Sequence, residues 1–212
     1  MTARGPHGVS FPMQLMLSDT RFWLVFLFIP PLLTMRLFAE ERAAGTLEML
    51  LTAPLRDWQI VLSKYIACFA FYLLLWAATL AYLPVLLDVD WKTFAPRIDP
   101  WPVASSYLGI ALAGAMFLAL GLFVSSLMRS QMLAALLSLF LSLAFIIVGF
   151  WRPEMDTSSL KYQWLFFLTV PLHFERNFCR GLVDTRQLVL YVSVTLFFLF
   201  LTVRSLESRR WR

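Results

Sequence analysis

Charge is scarce in this sequence: 15% of its 212 residues are charged, against 60% that are hydrophobic. So few polar groups could not cover that much apolar surface in water, which excludes an ordinary soluble domain. Histidine is nearly missing, with only His7 and His173. His7 lies in the polar amino end. His173 stands beside Glu175, Arg176 and Arg180, and one imidazole with one carboxylate makes a poor metal set, so this cluster reads as structural and hydrogen-bonded. Two cysteines exclude a disulfide framework. Cys68 falls inside an apolar run and Cys179 in a polar loop, so the two are not expected to meet. No Gly-x-x-x-x-Gly-Lys loop occurs, so the chain does not cradle nucleotide phosphates in that way. Its long apolar runs hold no carboxylate chain, which argues against proton-driven transport. Ser125, Ser126, Ser138 and Ser142 have no His or Lys at motif spacing, so they read as helix–helix glue and an intramembrane enzyme is disfavoured. Residues 1–11 carry Arg4, Gly5, Pro6 and Gly8 without an apolar core or a small-residue cleavage site, so they are not read as a signal peptide.

What the chain has is apolar length. A helix needs about 20 apolar residues to cross a bilayer. Residues 65–87, 100–128 and 130–151 are uncharged throughout and each is that long or longer. Residues 187–203 form a shorter run followed by the basic residues Arg204, Arg209, Arg210 and Arg212, a last span with an anchor. Residues 22–35 are also short, but Arg21 and Arg36 can reach the interface, letting a helix run on to about Phe38. Pro30 and Pro31 should kink that helix and so favour packing within a bundle. Residues 162–174, with Pro171 inside, are too short to cross and read as an interfacial or re-entrant helix. The fold class expected is therefore all-α, a polytopic membrane helix bundle. It has about five spans (21–38, 62–87, 103–128, 130–151 and 187–205), a polar segment at 40–56 and a re-entrant element at 160–176. Residues 1–20 and 207–212 would be an external amino segment and a basic cytoplasmic tail flanking a single transmembrane domain, 21–206.

The formal charge of +5 comes from basic residues that flank the apolar runs, so the partner they suit is lipid headgroups, not nucleic acid. Placing the tail inside puts nine of the 18 basic residues on each side, and the shorter inner segments then have the higher basic density. Two small-residue stripes, Ala111/Ala115/Ala119 and Ala134/Ser138/Ser142, would let helices approach closely, either within the bundle or between subunits.

The segment from Glu40 to Pro54 is polar where its surroundings are not. Leu47, Leu50 and Leu51 recur at helical spacing with Glu41 and Glu48 on the other side, predicting a short amphipathic helix that Pro54 ends. Asp57 is then expected to cap the next helix, with Trp58 at headgroup depth. Such a helix either lies on the lipid surface or docks into a cytoplasmic partner.

The run Arg36-Leu37-Phe38-Ala39-Glu40-Glu41-Arg42-Ala43-Ala44-Gly45-Thr46-Leu47-Glu48, continuing through Leu51-Thr52-Ala53-Pro54-Leu55 and Asp57-Trp58, resembles the loop after the second span of type-2 ABC exporter permeases. It is closest in form to the branch of gliding-motility-associated and nitrous-oxide-reductase-maturation permeases. A second block, His173-Phe174-Glu175, Arg180 to Arg186, Tyr191 and Thr202 to Glu207, is similar to the end of the gliding-type members. The resemblance implies a permease in the bacterial inner membrane, not itself an enzyme and needing no cofactor, with ATP bound by a separate ATP-binding subunit. It implies a second permease subunit, identical or not, and allows an auxiliary substrate-binding protein. Glu40, Glu41, Arg42, Gly45, Thr46 and Glu48 would form the coupling segment, with Glu41 and Glu48 contacting the ATPase and Gly45 and Thr46 shaping the turn. The external loop would hold His173, Glu175, Arg180, Gly181 and Asp184. Family members have six spans, so the first is expected to be missing from this chain. A haem-export-type permease and a non-transporting membrane anchor or assembly factor are the alternatives.

Overall fold

In a computed structural model, the residues described are 17, 19–46, 56–82, 89–90, 95–96, 101–150 and 169–210. They form seven α-helices: α1 (Thr20–Thr34), α2 (Ala39–Ala43), α3 (Asp57–Thr79), α4 (Trp101–Leu127), α5 (Gln131–Phe150), α6 (Val170–Arg176) and α7 (Thr185–Arg210). The fold is an all-α helix bundle of membrane type. Short 3₁₀ turns follow α3 (Leu80–Tyr82) and α6 (Phe178–Arg180), and a two-residue antiparallel pair joins Val89–Asp90 to Ala95–Pro96. That small pair has no hydrophobic alternation to announce it.

Among the described residues, three helices are long and apolar enough to span a bilayer: Asp57–Tyr82 with its 3₁₀ extension, Trp101–Leu127 and Thr185–Ser208. The most apolar stretch of α4 is 72% buried, against 22% for α3 and 11% for α7. Helix α4 is thus packed on most sides, whereas α3 and α7 present broad apolar faces outward, through residues such as Ile66, Leu74, Val189 and Leu196. Faces of that kind suit hydrocarbon, because lipid tails are as apolar as the side chains they cover.

The first span is shorter than expected. Asp19 caps α1, its Oδ1 accepting the Arg21 N–H at 3.0 Å, and the helix runs through Pro30 and Pro31 but stops at Thr34. Fifteen residues rise about 22 Å, against a hydrocarbon core of about 30 Å. The helix does not continue to Phe38 because the Leu37 N–H turns to the Thr34 carbonyl at 3.2 Å, while the Phe38 N–H is taken by the Ser125 hydroxyl at 3.2 Å. Two other ends also differ from expectation. Helix α3 starts at Asp57, with Arg56 in the capping position, and its cap is Gln59, whose Oε1 reaches back to the Arg56 N–H at 3.1 Å, one half of a capping box. Helix α7 runs to Arg210, so residues 207–210 are helical and not a separate tail, helped by the Arg204–Glu207 pair one turn apart at 2.8 Å.

The chain divides into two compact units, and the division falls within each of the five long helices. In the unit formed by 1–25, 73–112 and 144–189, Trp23 meets Phe174 edge-on at 5.1 Å and Phe174 lies 5.1 Å from Phe178. These rings lie over Gly109, where a Cβ would come within 2.9 Å of Phe178 and 3.0 Å of Phe174. Ser105 Oγ donates to the Phe178 carbonyl at 2.6 Å, fastening the turn after α6 to α4. In the unit formed by 26–72, 113–143 and 190–212, Tyr72 lies against Gly114 and Thr34 against Gly121, each occupying the space a Cβ would need. Phe26 meets Phe117 edge-on at 5.9 Å, the Tyr65 hydroxyl donates to the Ala115 carbonyl at 3.2 Å, and Phe123 lies 5.8 Å from Phe198. Ala134, Ser138 and Ser142 are all buried within the chain. That stripe therefore serves packing inside the bundle, not a subunit surface.

Candidate functional site

The polar elbow between α1 and α3 is where the chain departs most from a plain apolar bundle. After α1 ends, residues 35–38 turn and α2 follows as a helix of five residues. So short a helix cannot hold itself, since nucleation costs more than one turn returns. It is held by side chains from elsewhere. Ser125 Oγ on α4 accepts the N–H groups of both Phe38 and Ala39 at 3.2 Å and donates to the Met35 carbonyl at 3.2 Å. One hydroxyl thus caps α2 from another helix and closes the preceding turn. Phe38 and Ala39 are fully buried, so no water could replace it. Arg42 extends the same attachment by donating from Nη1 to the Leu127 carbonyl, a cation at the C-terminal end of α4, where the helix dipole favours one.

Lys64 on α3 secures the other side. Its Nζ donates to the Leu37 carbonyl at 2.7 Å and to Glu41 Oε1 at 2.6 Å, and lies 5.0 Å from the centre of the Phe38 ring. The Lys64 and Glu41 side chains are 20% and 31% exposed, so this charge-assisted pair is partly shielded and stronger than a surface pair. Helix α2 ends at a left-handed residue, Gly45, with φ +72° and open space where a Cβ would be. Only the backbone conformation calls for glycine there. Thr46 Oγ1 then donates back to the Glu41 carbonyl at 3.2 Å.

Around this elbow is an open cleft of about 460 Å³ lined by Arg36, Leu37, Glu40, Glu41, Ala44, Thr46 and Lys64. Arg36, Glu40 and Thr46 are exposed in it, whereas Glu41 is turned toward Lys64. Of the expected coupling residues, Glu40, Glu41, Arg42, Gly45 and Thr46 therefore gather at one elbow. Glu48 and the Leu47, Leu50 and Leu51 stripe lie outside the described residues. The amphipathic helix expected from residue 40 onward is interrupted at Gly45, because a left-handed residue cannot continue a right-handed helix. Ser125 and Lys64, which hold the elbow, were not expected there. Ser125 reads in sequence as glue between helices and Lys64 only borders the uncharged run 65–87, yet both act on residues 23 or more positions away.

The residues of the second cluster lie in and around α6 and the 3₁₀ turn that follows it. His173 is buried in α6, whereas Arg180 is exposed. Gly181 takes φ +76° to close the 3₁₀ turn beside Pro102. Asp184 caps α7, its Oδ1 accepting the Arg186 N–H at 3.0 Å. Cys179, expected in a polar loop, stands in the 3₁₀ turn after α6. It is buried, and burial pushes its thiol up to about 12. No group of three or more His, Cys, Asp or Glu side chains that could hold a metal ion occurs among the described residues. The expected element at 160–176 is described only from Thr169 onward.

An all-α bundle with apolar outer faces and a braced polar elbow between the first two long helices described has the build of a membrane permease. The chain belongs to the ABC-2 family transporter proteins, whose family pattern it matches over residues 15–203. It is thus an ABC permease subunit. No curated protein matches the chain.

Proposed function

We propose that this chain is the membrane subunit of an ATP-driven exporter and that a separate ATP-binding subunit docks on residues 40–56. The observation that carries this reading is the family match over 15–203, together with a polar elbow whose exposed side chains, Arg36, Glu40 and Thr46, line an open cleft. On this reading the elbow and the ends of α1, α3, α4, α5 and α7 nearest it face the cytoplasm of a bacterial cell, five helices span the inner membrane, and the element around α6 faces outward. Two such subunits pair, and hydrolysis belongs to the partner. Closure of two ATP-binding subunits displaces the docked elbow, and the helices it is tied to change packing. The resemblance of residues 36–48 and 173–207 to gliding-type permeases favours that branch, and the apolar and small residues of the spans suit lipid, peptide or glycan cargo.

The test is purification of the tagged chain from its native host in mild detergent, followed by mass spectrometry and an ATPase assay. The expected result is a co-purifying ATP-binding subunit with vanadate-sensitive hydrolysis. A folded, abundant chain that brings down no ATPase would overturn the reading in favour of a membrane anchor.

A further inference from the structure

The elbow carries two acidic residues side by side that face opposite ways. Glu40 is exposed in the cleft, whereas Glu41 Oε1 sits 2.6 Å from Lys64 Nζ, and Glu41 Oε2 is buried with no hydrogen-bond partner among the described residues. A carboxylate placed to meet another protein would keep its oxygens open to solvent. Glu41 has one closed in and the other taken. Lys64 is equally committed, with the Leu37 carbonyl, the Glu41 carboxylate and the Phe38 ring around one ammonium group. On the far side of the elbow, Ser125 and Arg42 tie the same residues to the end of α4.

We infer that Lys64 is the positioning residue of the coupling elbow: Glu41 acts inward on Lys64, so that displacement of α2 is delivered to α3, and the outward contacts with the ATP-binding subunit are left to Glu40 and Arg36. This rests on the exporter reading above for its partner, but the internal strut is a property of the chain itself. The strut is also the exchangeable one of the two attachments. Its main contact is between two side chains, whereas Ser125 holds the Phe38 and Ala39 N–H groups, which substitution at those two positions does not remove.

Exchanging the two charges separates an internal strut from an external contact. The full-length chain is prepared as wild type, Lys64→Met, Glu41→Lys and the exchange variant Glu41→Lys/Lys64→Glu. Two readouts are taken on each: amide hydrogen exchange over residues 35–46, and the amount of ATP-binding subunit recovered per permease. Lys64→Met and Glu41→Lys are expected to speed exchange over 39–43 about tenfold or more, and the exchange variant to recover part of that protection, because it restores the ion pair but not the hydrogen bond to the Leu37 carbonyl. The exchange variant is also expected to recover the ATP-binding subunit at the wild-type ratio. A residue needed only for general folding would not regain protection when both charges are reversed. If Glu41 instead meets the ATP-binding subunit directly, the exchange variant will lose that subunit as completely as Glu41→Lys does, and the inference is overturned. It is equally overturned if Lys64→Met leaves exchange over 39–43 unchanged. Should the wild-type chain bring down no ATP-binding subunit, the exporter reading fails, and the hydrogen-exchange readout alone decides whether the strut exists.

Discussion

Replacing Ser125 by alanine removes one oxygen from the chain and should cost far more than a single hydroxyl usually does. That oxygen accepts the N–H groups of Phe38 and Ala39 and donates to the Met35 carbonyl, all at 3.2 Å. Phe38 and Ala39 are 1% and 0% exposed, so neither N–H can turn to water. A buried donor left unsatisfied costs about 1–3 kcal/mol. Two of them sharing one rather long acceptor put the loss at about 2–4 kcal/mol. For a chain of this size that is a fall in melting temperature of about 5–15 °C, at roughly 2–4 °C per kcal/mol. Ser138→Ala is the control. Ser138 is as buried as Ser125, but its hydroxyl returns to the Ala135 carbonyl of its own helix at 3.0 Å, so its loss leaves no backbone donor orphaned and should cost under about 1 kcal/mol. Thermal unfolding in detergent, followed by intrinsic fluorescence, compares the two, and hydrogen exchange at 38 and 39 localises the effect. If Ser125→Ala melts within about 1 °C of Ser138→Ala, and the amides at 38 and 39 keep their protection, then Ser125 does not cap α2 and the description of the elbow is wrong.

Three further outcomes follow from the same geometry. Gly114→Ala places a methyl group where the buried Tyr72 ring already lies, and overpacking of that kind should lower stability by about 1–3 kcal/mol, read as reduced yield of monodisperse protein and an earlier melt. Gly45→Ala meets no neighbour, so its cost comes only from the left-handed backbone, about 1–2 kcal/mol. Gly45→Asn should recover part of that, because asparagine tolerates the conformation better, and equal stability of both variants and wild type would contradict it. Burial lifts the Cys179 thiol to about 12, above its unfolded value, so the thiol contribution to stability is present below about pH 9 and is lost as pH rises toward the folded value. Maleimide should therefore leave Cys179 unlabelled at pH 8 in the folded chain and modify it after denaturation, as mass spectrometry of its peptide would show.

Much of the bundle was legible because the features that define it are local. The gaps between charged residues located α4 and α5 to within two residues at the ends that are described, since each gap only had to be compared with the thickness of a bilayer. The end of α1 at Thr34, short of Phe38, is not legible in sequence because it is decided by a hydroxyl 87 positions from Phe38, which no window of sequence contains. Residues 40–46 stood out as a polar segment amid apolar ones, so the elbow itself was found. Its wiring was not. Glu41 looked like an outward charge because helical periodicity reports which face a residue occupies and not that Lys64, 23 positions on, would turn it inward. The burial of Cys179 is hidden for a related reason: its neighbours Asn177 and Arg180 are polar, but the 3₁₀ turn it belongs to is fastened by Ser105. The alanine and serine stripes are visible in sequence by their spacing, whereas nothing local distinguishes Gly114 and Gly121, the glycines that admit Tyr72 and Thr34.

The most direct test of the account is photo-crosslinking from position 40, with a benzophenone amino acid in place of the exposed Glu40 and the chain in its native membrane. The expected result is a single dominant adduct with an ATP-binding subunit, enriched when ATP and vanadate trap the closed complex, and no such adduct from the same probe at the exposed apolar residue Phe140. Adducts with lipid alone at position 40, from a chain present at normal abundance, would contradict it.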